Sequence, residues 1–279
     1  MKIALMDSGI GLLAAAAAVR RLRPDADLVL SSDPGSMPWG PRSSEDIARL
    51  ALAVAEAAAE HRPDALIVAC NTASVHALPT LRAHLEPALP VVGTVPAIKP
   101  AAAGGGPVAI WATPATTGSP YQRGLIEQFA AGVDVTEVPC PGLADAVEHA
   151  DEAAVDAAVA AAAALTPARV RTVVLGCTHY ELVAGRIGTA LERVVGHRPE
   201  LFGSATAVAA QALRRVGAAG MGAGAEGDAV PGDAARGGAG TAAGSGTLTV
   251  LHGGVESRLT EAALFYAEGR GLREVSAAR

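Results

Sequence analysis

The stretch 66–74, LIVACNTAS, constrains this chain more than any other. It begins as an apolar run, stops at a cysteine, and passes at once into small polar residues and a helical pattern. Such a run reads as a buried parallel strand entering a helix. Cys70 then stands at the carboxyl end of a strand, where open α/β sheets hold their ligands. The stretch 173–180, VVLGCTHY, repeats the design and stops at Cys177. Two strand-end cysteines in one chain imply two half-sites that face each other.

The rest of the chain alternates strand and helix signals. Residues 2–6 read as a buried strand, 7–11 as the turn after it, 12–22 as an Ala-rich helix and 28–32 as a second strand. Residues 33–42 (DPGSMPWGPR) form a loop. Ser43 and Asp46 then make a capping box for a helix that reaches about His61, where Pro63 stops it. The strand ending at Cys70 leads to a helix from about Ser74 that must accommodate Pro79, and 90–93 is a short strand. Residues 94–106, with Pro96, Pro100 and three glycines, read as a crossover between lobes. Strands at 108–111 and 133–138 and helices at 120–130, 143–150 and 152–165 begin a second series. The strand ending at Cys177 and helices from about Glu181 and at 204–216 complete it. Residues 217–246 are Gly/Ala-rich with almost no large apolar side chain, a flexible insertion by composition. A strand at 247–251 and a helix at 256–268 return to the first lobe. The pattern predicts an α/β fold with mainly parallel sheets. It predicts two similar lobes, 1–95 plus 247–279 and 96–216, with the site in the cleft between them.

Half of the 279 residues are hydrophobic but only 3% are aromatic, so alanine must fill much of the core. A formal net charge of −6 argues against a nucleic-acid or anionic-membrane surface. No window approaches the ~18 consecutive apolar residues of a membrane span. The first apolar run is too short for a signal peptide and is cut by Asp7, so a cytoplasmic location is expected by default. The three cysteines then read as thiols. No CxxC or HxxxH spacing supports a metal site.

Gly9-Ile10-Gly11-Leu12-Leu13-Ala14 fits the G-x-G-x-x-A dinucleotide fingerprint, with Asp33 near the end of the second strand. Asp7 counts against it, because a carboxylate there would crowd a pyrophosphate. The plainer reading is a tight strand-to-helix turn that needs glycine. A buried cysteine is ordinarily a small hydrophobe, and Cys140 is read so. Cys70 and Cys177 differ: each adjoins a helix start, where a thiol pKa is expected to fall. Nearby amides, with Asn71, Thr72 and Thr178, offer donors to a carboxylate. His179 can serve as proton partner to Cys177, and Asp7 to the other thiol. This suits a reaction that needs one base and one acid on opposite faces of a carbon.

MDSGIG at 6–11, PWG at 38–40, ACNTAS at 69–74 and LGCTHY at 175–180 occur in an order and at spacings that resemble glutamate racemase, of the aspartate/glutamate racemase family. Residues 112–122 (ATPATTGSPYQ) and 140–148 (CPGLADAVE) resemble its intervening segments, and 251–257 (LHGGVES) its closing strand and turn. The resemblance implies a cofactor-independent racemase, with a small amino-acid substrate bound between two α/β lobes. No pyridoxal, nicotinamide or metal is implied. Cys70 and Cys177 would be the acid–base thiols, assisted by Asp7 and His179. Ser8, Trp39, Gly40, Asn71, Thr72 and Thr178 would hold the amino acid, with Glu148 on its ammonium side. Supply of D-glutamate for peptidoglycan would follow, and a homodimer is left open.

The chain departs from the family pattern at 12–14, in the loop 33–40, where the usual arginine and tyrosine are missing, and at Glu181, where proline is usual. The altered loop keeps two other readings open. One is the same fold acting on aspartate or another acid, or decarboxylating it. The other is a non-catalytic binding paralogue, against which the retention of both cysteines, Asp7 and His179 argues.

Overall fold

A computed structural model describes residues 1–220 and 246–277. The chain opens with β1 (Lys2–Asp7), α1 (Leu13–Leu22), β2 (Asp27–Ser32), α2 (Ser44–Ala59), β3 (Ala65–Val68), α3 (Asn71–His76), α4 (Leu78–Leu85) and β4 (Val91–Gly93). It continues with α5 (Ile98–Ala102), β5 (Val108–Ala112), α6 (Pro120–Phe129), β6 (Val135–Pro139), α7 (Leu143–Glu148) and α8 (Glu152–Ala164). Then follow β7 (Thr172–Leu175), α9 (Thr178–Glu181), α10 (Ala184–Val195), β8 (Glu200–Phe202) and α11 (Ala205–Gly220). After residue 246 come β9 (Leu248–His252), β10 (Val255–Ser257), α12 (Glu261–Phe265) and α13 (Ala267–Ala277). The expected flexible insertion lies outside the described residues from 221 to 245.

Two sheets form, with strand orders β10-β9-β2-β1-β3-β4 and β6-β5-β7-β8. Every pairing is parallel except β10 with β9. In each sheet the chain starts in the interior and then reverses its direction of travel: β2 and β3 flank β1, and β6 and β7 flank β5. Such switch points open a crevice at the carboxyl ends of the strands. Asp7 ends β1 and Cys70 follows β3 closely; Thr113 follows β5 and Cys177 follows β7 closely. The topology alone thus delivers both cysteines to crevices.

β1 is buried on both faces, as a central parallel strand requires. Ala4 and Met6 face a cluster with Ile47, Val54 and Leu81. Ile3 and Leu5 face the other way, into a cluster that continues through α1 to Trp111, Val173 and Leu191 of the second lobe. One apolar core therefore joins the two sheets. α11 packs on α1, β3 and β4, so residues 205–216, expected with the second lobe, lie against the first.

Several boundaries differ from expectation for local reasons. The helix expected from Ser74 is two: α3 starts directly after Cys70, and Pro79 falls in the first turn of α4, where its missing N–H costs nothing. The expected crossover 94–106 contains α5. β8 is only three residues long and carries no strand-length apolar run. The helix expected from Glu256 starts later, because Gly253 and Gly254, with φ of 56° and 80°, make a two-residue hairpin turn that pairs His252 with Val255.

Candidate active site

A cavity of about 620 Å³ lies at the strand carboxyl ends. Asp7, Ser8, Trp39, Gly40, Cys70, Asn71, Thr72, Cys177, Thr178 and His179 all line it. The side-chain amide of Asn71 donates to the Gly176 carbonyl, which ties the Cys70 turn directly to the Cys177 turn. The first lobe and the second thus meet at the two motifs read from the sequence.

Asp7 is completely buried, and its Oδ2 has no hydrogen-bond partner among the described residues. Burial pushes its carboxyl pKa up, although the nearby His179 pulls the other way. Cys70 is buried beside it. Burial, and then the Asp7 charge, drive the Cys70 thiol well above its usual value. This reverses the lowered pKa expected for Cys70 at a helix start: α3 has only six residues, and burial, with an acidic neighbour, outweighs it.

His179 sits on the other side. Its Nδ1 is 3.9 Å from Cys177 Sγ and 4.0 Å from Asp7 Oδ2, and its Nε2 is 2.9 Å from Glu148 Oε2. Burial alone would lower the pKa of this imidazole. The hydrogen-bonding Cys177 and Glu148 and the charge of Asp7 prevail and hold it well above the ordinary histidine range. A doubly protonated ring can donate to both the sulfur and the carboxylate.

Glu148 stands outside the cavity wall. It was expected on the ammonium side of a substrate, yet it does not line the cavity. Its Oε2 accepts from the Ile10 N–H at 2.8 Å and faces His179. It lies behind the imidazole, where a hydrogen-bonded carboxylate constrains the ring's orientation.

The dinucleotide reading of the first turn also fails on geometry. A Cβ on Gly11 would lie 2.5 Å from both Asp7 Oδ2 and Thr178 Oγ1 and 2.6 Å from His179 Nδ1, and one on Gly9 would collide with the Glu148 carboxylate. The room these glycines leave is filled by the chain's own side chains, so no pyrophosphate can use it. The turn needs glycine for close approach.

Met37, Thr113, Thr116, Cys140 and Asp145 also line the cavity. Thr113 and Thr116 could have been found from topology, because β5 borders the second switch point. Cys140 was read as a plain buried residue. It is 1% exposed, its thiol donates to the Val138 carbonyl, and burial pushes its pKa up to about 12. Trp39 is 2% exposed and spends its indole N–H on Ser36 Oγ at 2.8 Å, so its side chain offers the cavity a wall and no donor. Among the described residues no group of His, Cys, Asp and Glu is placed to hold a metal ion, and no helix is long and apolar enough to cross a membrane.

Known proteins resemble this chain in sequence and in fold. The family described as Asp/Glu/Hydantoin racemase matches residues 11–216. Glutamate racemase of Roseiflexus sp. (strain RS-1) is 39% identical over 74% of this chain and 76% of its own. That of Herpetosiphon aurantiacus is 37% identical over 78% and 85%. The crystal structure of Escherichia coli glutamate racemase, in complex with L-glutamate and the activator UDP-MurNAc-Ala, superposes with a TM-score of 0.70 at 31% identity, over 77% of this chain and 82% of that one. The two mainly parallel sheets, the motif-bearing turns and these relatives agree: the chain belongs to the Asp/Glu/Hydantoin racemase family.

Proposed function

We propose that the protein interconverts L- and D-glutamate by moving the Cα proton between Cys70 and Cys177, and so supplies D-glutamate for peptidoglycan in the cytoplasm. One observation carries the mechanism: of the three thiols that line the cavity, Cys70 and Cys177 follow strands of two different sheets and stand beside Asp7 and His179, whereas Cys140 is bonded to the Val138 carbonyl. A racemase of this kind must take a proton from one face of a planar carbon and return it to the other. Each thiol has its own proton partner, Asp7 for Cys70 and His179 for Cys177.

Cys70 rests protonated, because burial and Asp7 disfavour its anion. Cys177 Sγ stands 3.9 Å from His179 Nδ1, within reach of a proton partner. With Cys177 as base, the proton leaves Cα for Cys177 Sγ and Cys70 returns its own to the opposite face. In the reverse direction Asp7 takes the Cys70 proton and His179 gives one to Cys177; the Cys70 thiolate then takes the Cα proton and Cys177 returns its own to the opposite face. Ser8, Thr72, Thr113, Thr116 and Thr178 bring neutral hydroxyls to hold the substrate carboxylates, and donors fixed around the α-carboxylate stabilise the carbanion. The reaction so written needs no cofactor.

A second reading keeps the chemistry and changes the acid. It is favoured by Trp39, whose only side-chain donor is committed to Ser36. Incubation of the pure protein with L-glutamate in deuterated water tests both. Deuterium at Cα with loss of optical rotation supports the proposal. Exchange on aspartate or another acid, and not on glutamate, supports the second reading. No exchange on any amino acid defeats both.

A further inference from the structure

The two thiols stand on different lobes, and besides the Asn71–Gly176 bond a second tie bears on the distance between them. Glu181 ends α9, the short turn that begins after Cys177 and carries Thr178 and His179. Its side chain does not line the cavity. Its Oε1 accepts from Ser204 N–H at 2.8 Å, Ser204 Oγ–H at 2.9 Å and Ala205 N–H at 3.2 Å. These donors stand at the start of α11. A helix leaves its first N–H groups without intrahelical partners and favours negative charge there, so Glu181 satisfies that end from outside the helix. Gly203 leaves the seat open: a Cβ there would lie 2.6 Å from Glu181 Cδ.

α11 is bound to the other lobe along its length. It packs on α1, β3 and β4, and Arg215 donates to Glu86 Oε1 at 2.9 Å and to the Val91 carbonyl at 3.3 Å. Val91 pairs with Leu66 of β3, the strand that delivers Cys70. One 16-residue helix is thus seated on the Cys70 strand and held at its start by the Cys177 turn.

We infer that Glu181 is a positioning residue that sets the spacing of the two thiols by pinning the Cys177 turn to α11. The inference rests on the proposed reading of Cys70 and Cys177 as the paired proton carriers. Loss of the pin lets the Cys177 turn drift and leaves the Cys70 turn on its sheet. Misplacement by about 1 Å costs on the order of 10²-fold in rate.

The experiment measures kcat and KM in both directions and Cα deuterium exchange on each enantiomer, for Glu181→Ala, Glu181→Gln and Gly203→Ala, with melting temperatures alongside. Glu181→Ala should lower kcat by about 10²-fold with KM little changed, and exchange on the enantiomer served by Cys177 should fall further than on the other. Glu181→Gln keeps an acceptor oxygen and should recover most of the loss. Gly203→Ala keeps the carboxylate but blocks its seat and should reproduce the alanine defect. Unchanged kcat in Glu181→Ala overturns the inference. So does an equal loss on both enantiomers that glutamine fails to rescue, the mark of a helix cap alone. If Glu181→Ala does not fold, Gly203→Ala against Glu181→Gln decides by the same comparison. Absence of exchange in the unmutated protein fails the underlying reading as well, which separates that failure from failure of the pin.

Discussion

A serine hydroxyl is a far weaker acid than a thiol, whose reference pKa is about 8.5. Cys70→Ser or Cys177→Ser should therefore each lower racemisation by about 10²–10⁴-fold, the usual weight of one acid–base group. Each should keep slow Cα exchange on a single enantiomer. The family resemblance assigns Cys177 to the L form, so Cys70→Ser should exchange L-glutamate and Cys177→Ser D-glutamate, as followed by proton NMR in deuterated water. Full racemisation by either variant would refute the two-thiol assignment. Asp7 gives a pH test. Its folded pKa is raised by burial, so its contribution to stability is present below its unfolded value of about 3.9. That contribution is lost as pH rises through the folded pKa. Asp7→Asn is neutral throughout, so it should melt higher than the parent at neutral pH, with the advantage vanishing near pH 3, while turnover falls. A constant difference from pH 3 to 8 would contradict this. The motif residues were legible because polar side chains directly after apolar strands have few structural uses. The place of Glu148 behind His179 was not, since nothing in its local sequence tells which of two neighbours it faces.

Gly11 belongs to the short turn that joins β1 to α1, and its missing side chain is what lets Asp7, Thr178 and His179 converge. Gly11→Ala must push at least one of them away. It should destabilise the protein by about 1–3 kcal/mol, as overpacking does, and lower kcat/KM by about 10²-fold. Chemical denaturation and steady-state kinetics check both, and wild-type kinetics would mean that the turn is looser than described. Long elements with clear periodicity, such as α2 with its Ser43 cap, were readable in advance. β8 and β10 were not: each has three residues, and each is set by tertiary pairing more than by its own propensity. The Gly253-Gly254 turn carried a hairpin signal that a helix-like pattern beyond it obscured.

The largest apolar cluster crosses from one sheet to the other, and polar ties cross with it: Asn71 to Gly176, Ile10 to Glu148, and Tyr266 Oη to the Val147 carbonyl at 2.7 Å. The two lobes should therefore melt in one transition, with far-UV circular dichroism and thiol exposure following the same curve. Two separated steps would show that the shared core does not couple them. The two-lobe architecture could be read from alternating strands and helices, but the seat of α11 could not. Its alanine-rich surface fits either sheet, and only the packing on α1, β3 and β4 decides between them.

The placement of β9 has a consequence for how the protein is made. β2 needs β9 on its outer side, and β9 is encoded after the entire second lobe. On the ribosome, β1, β2 and β3 emerge early, while the strand that covers the edge of β2 is more than 200 residues away. For most of translation, Leu28, Val29 and Leu30 therefore present an unpaired apolar edge, of the kind that invites pairing with a second nascent chain. Nascent chains released before residue 252 should be captured by chaperones or aggregate, and those released after it should not.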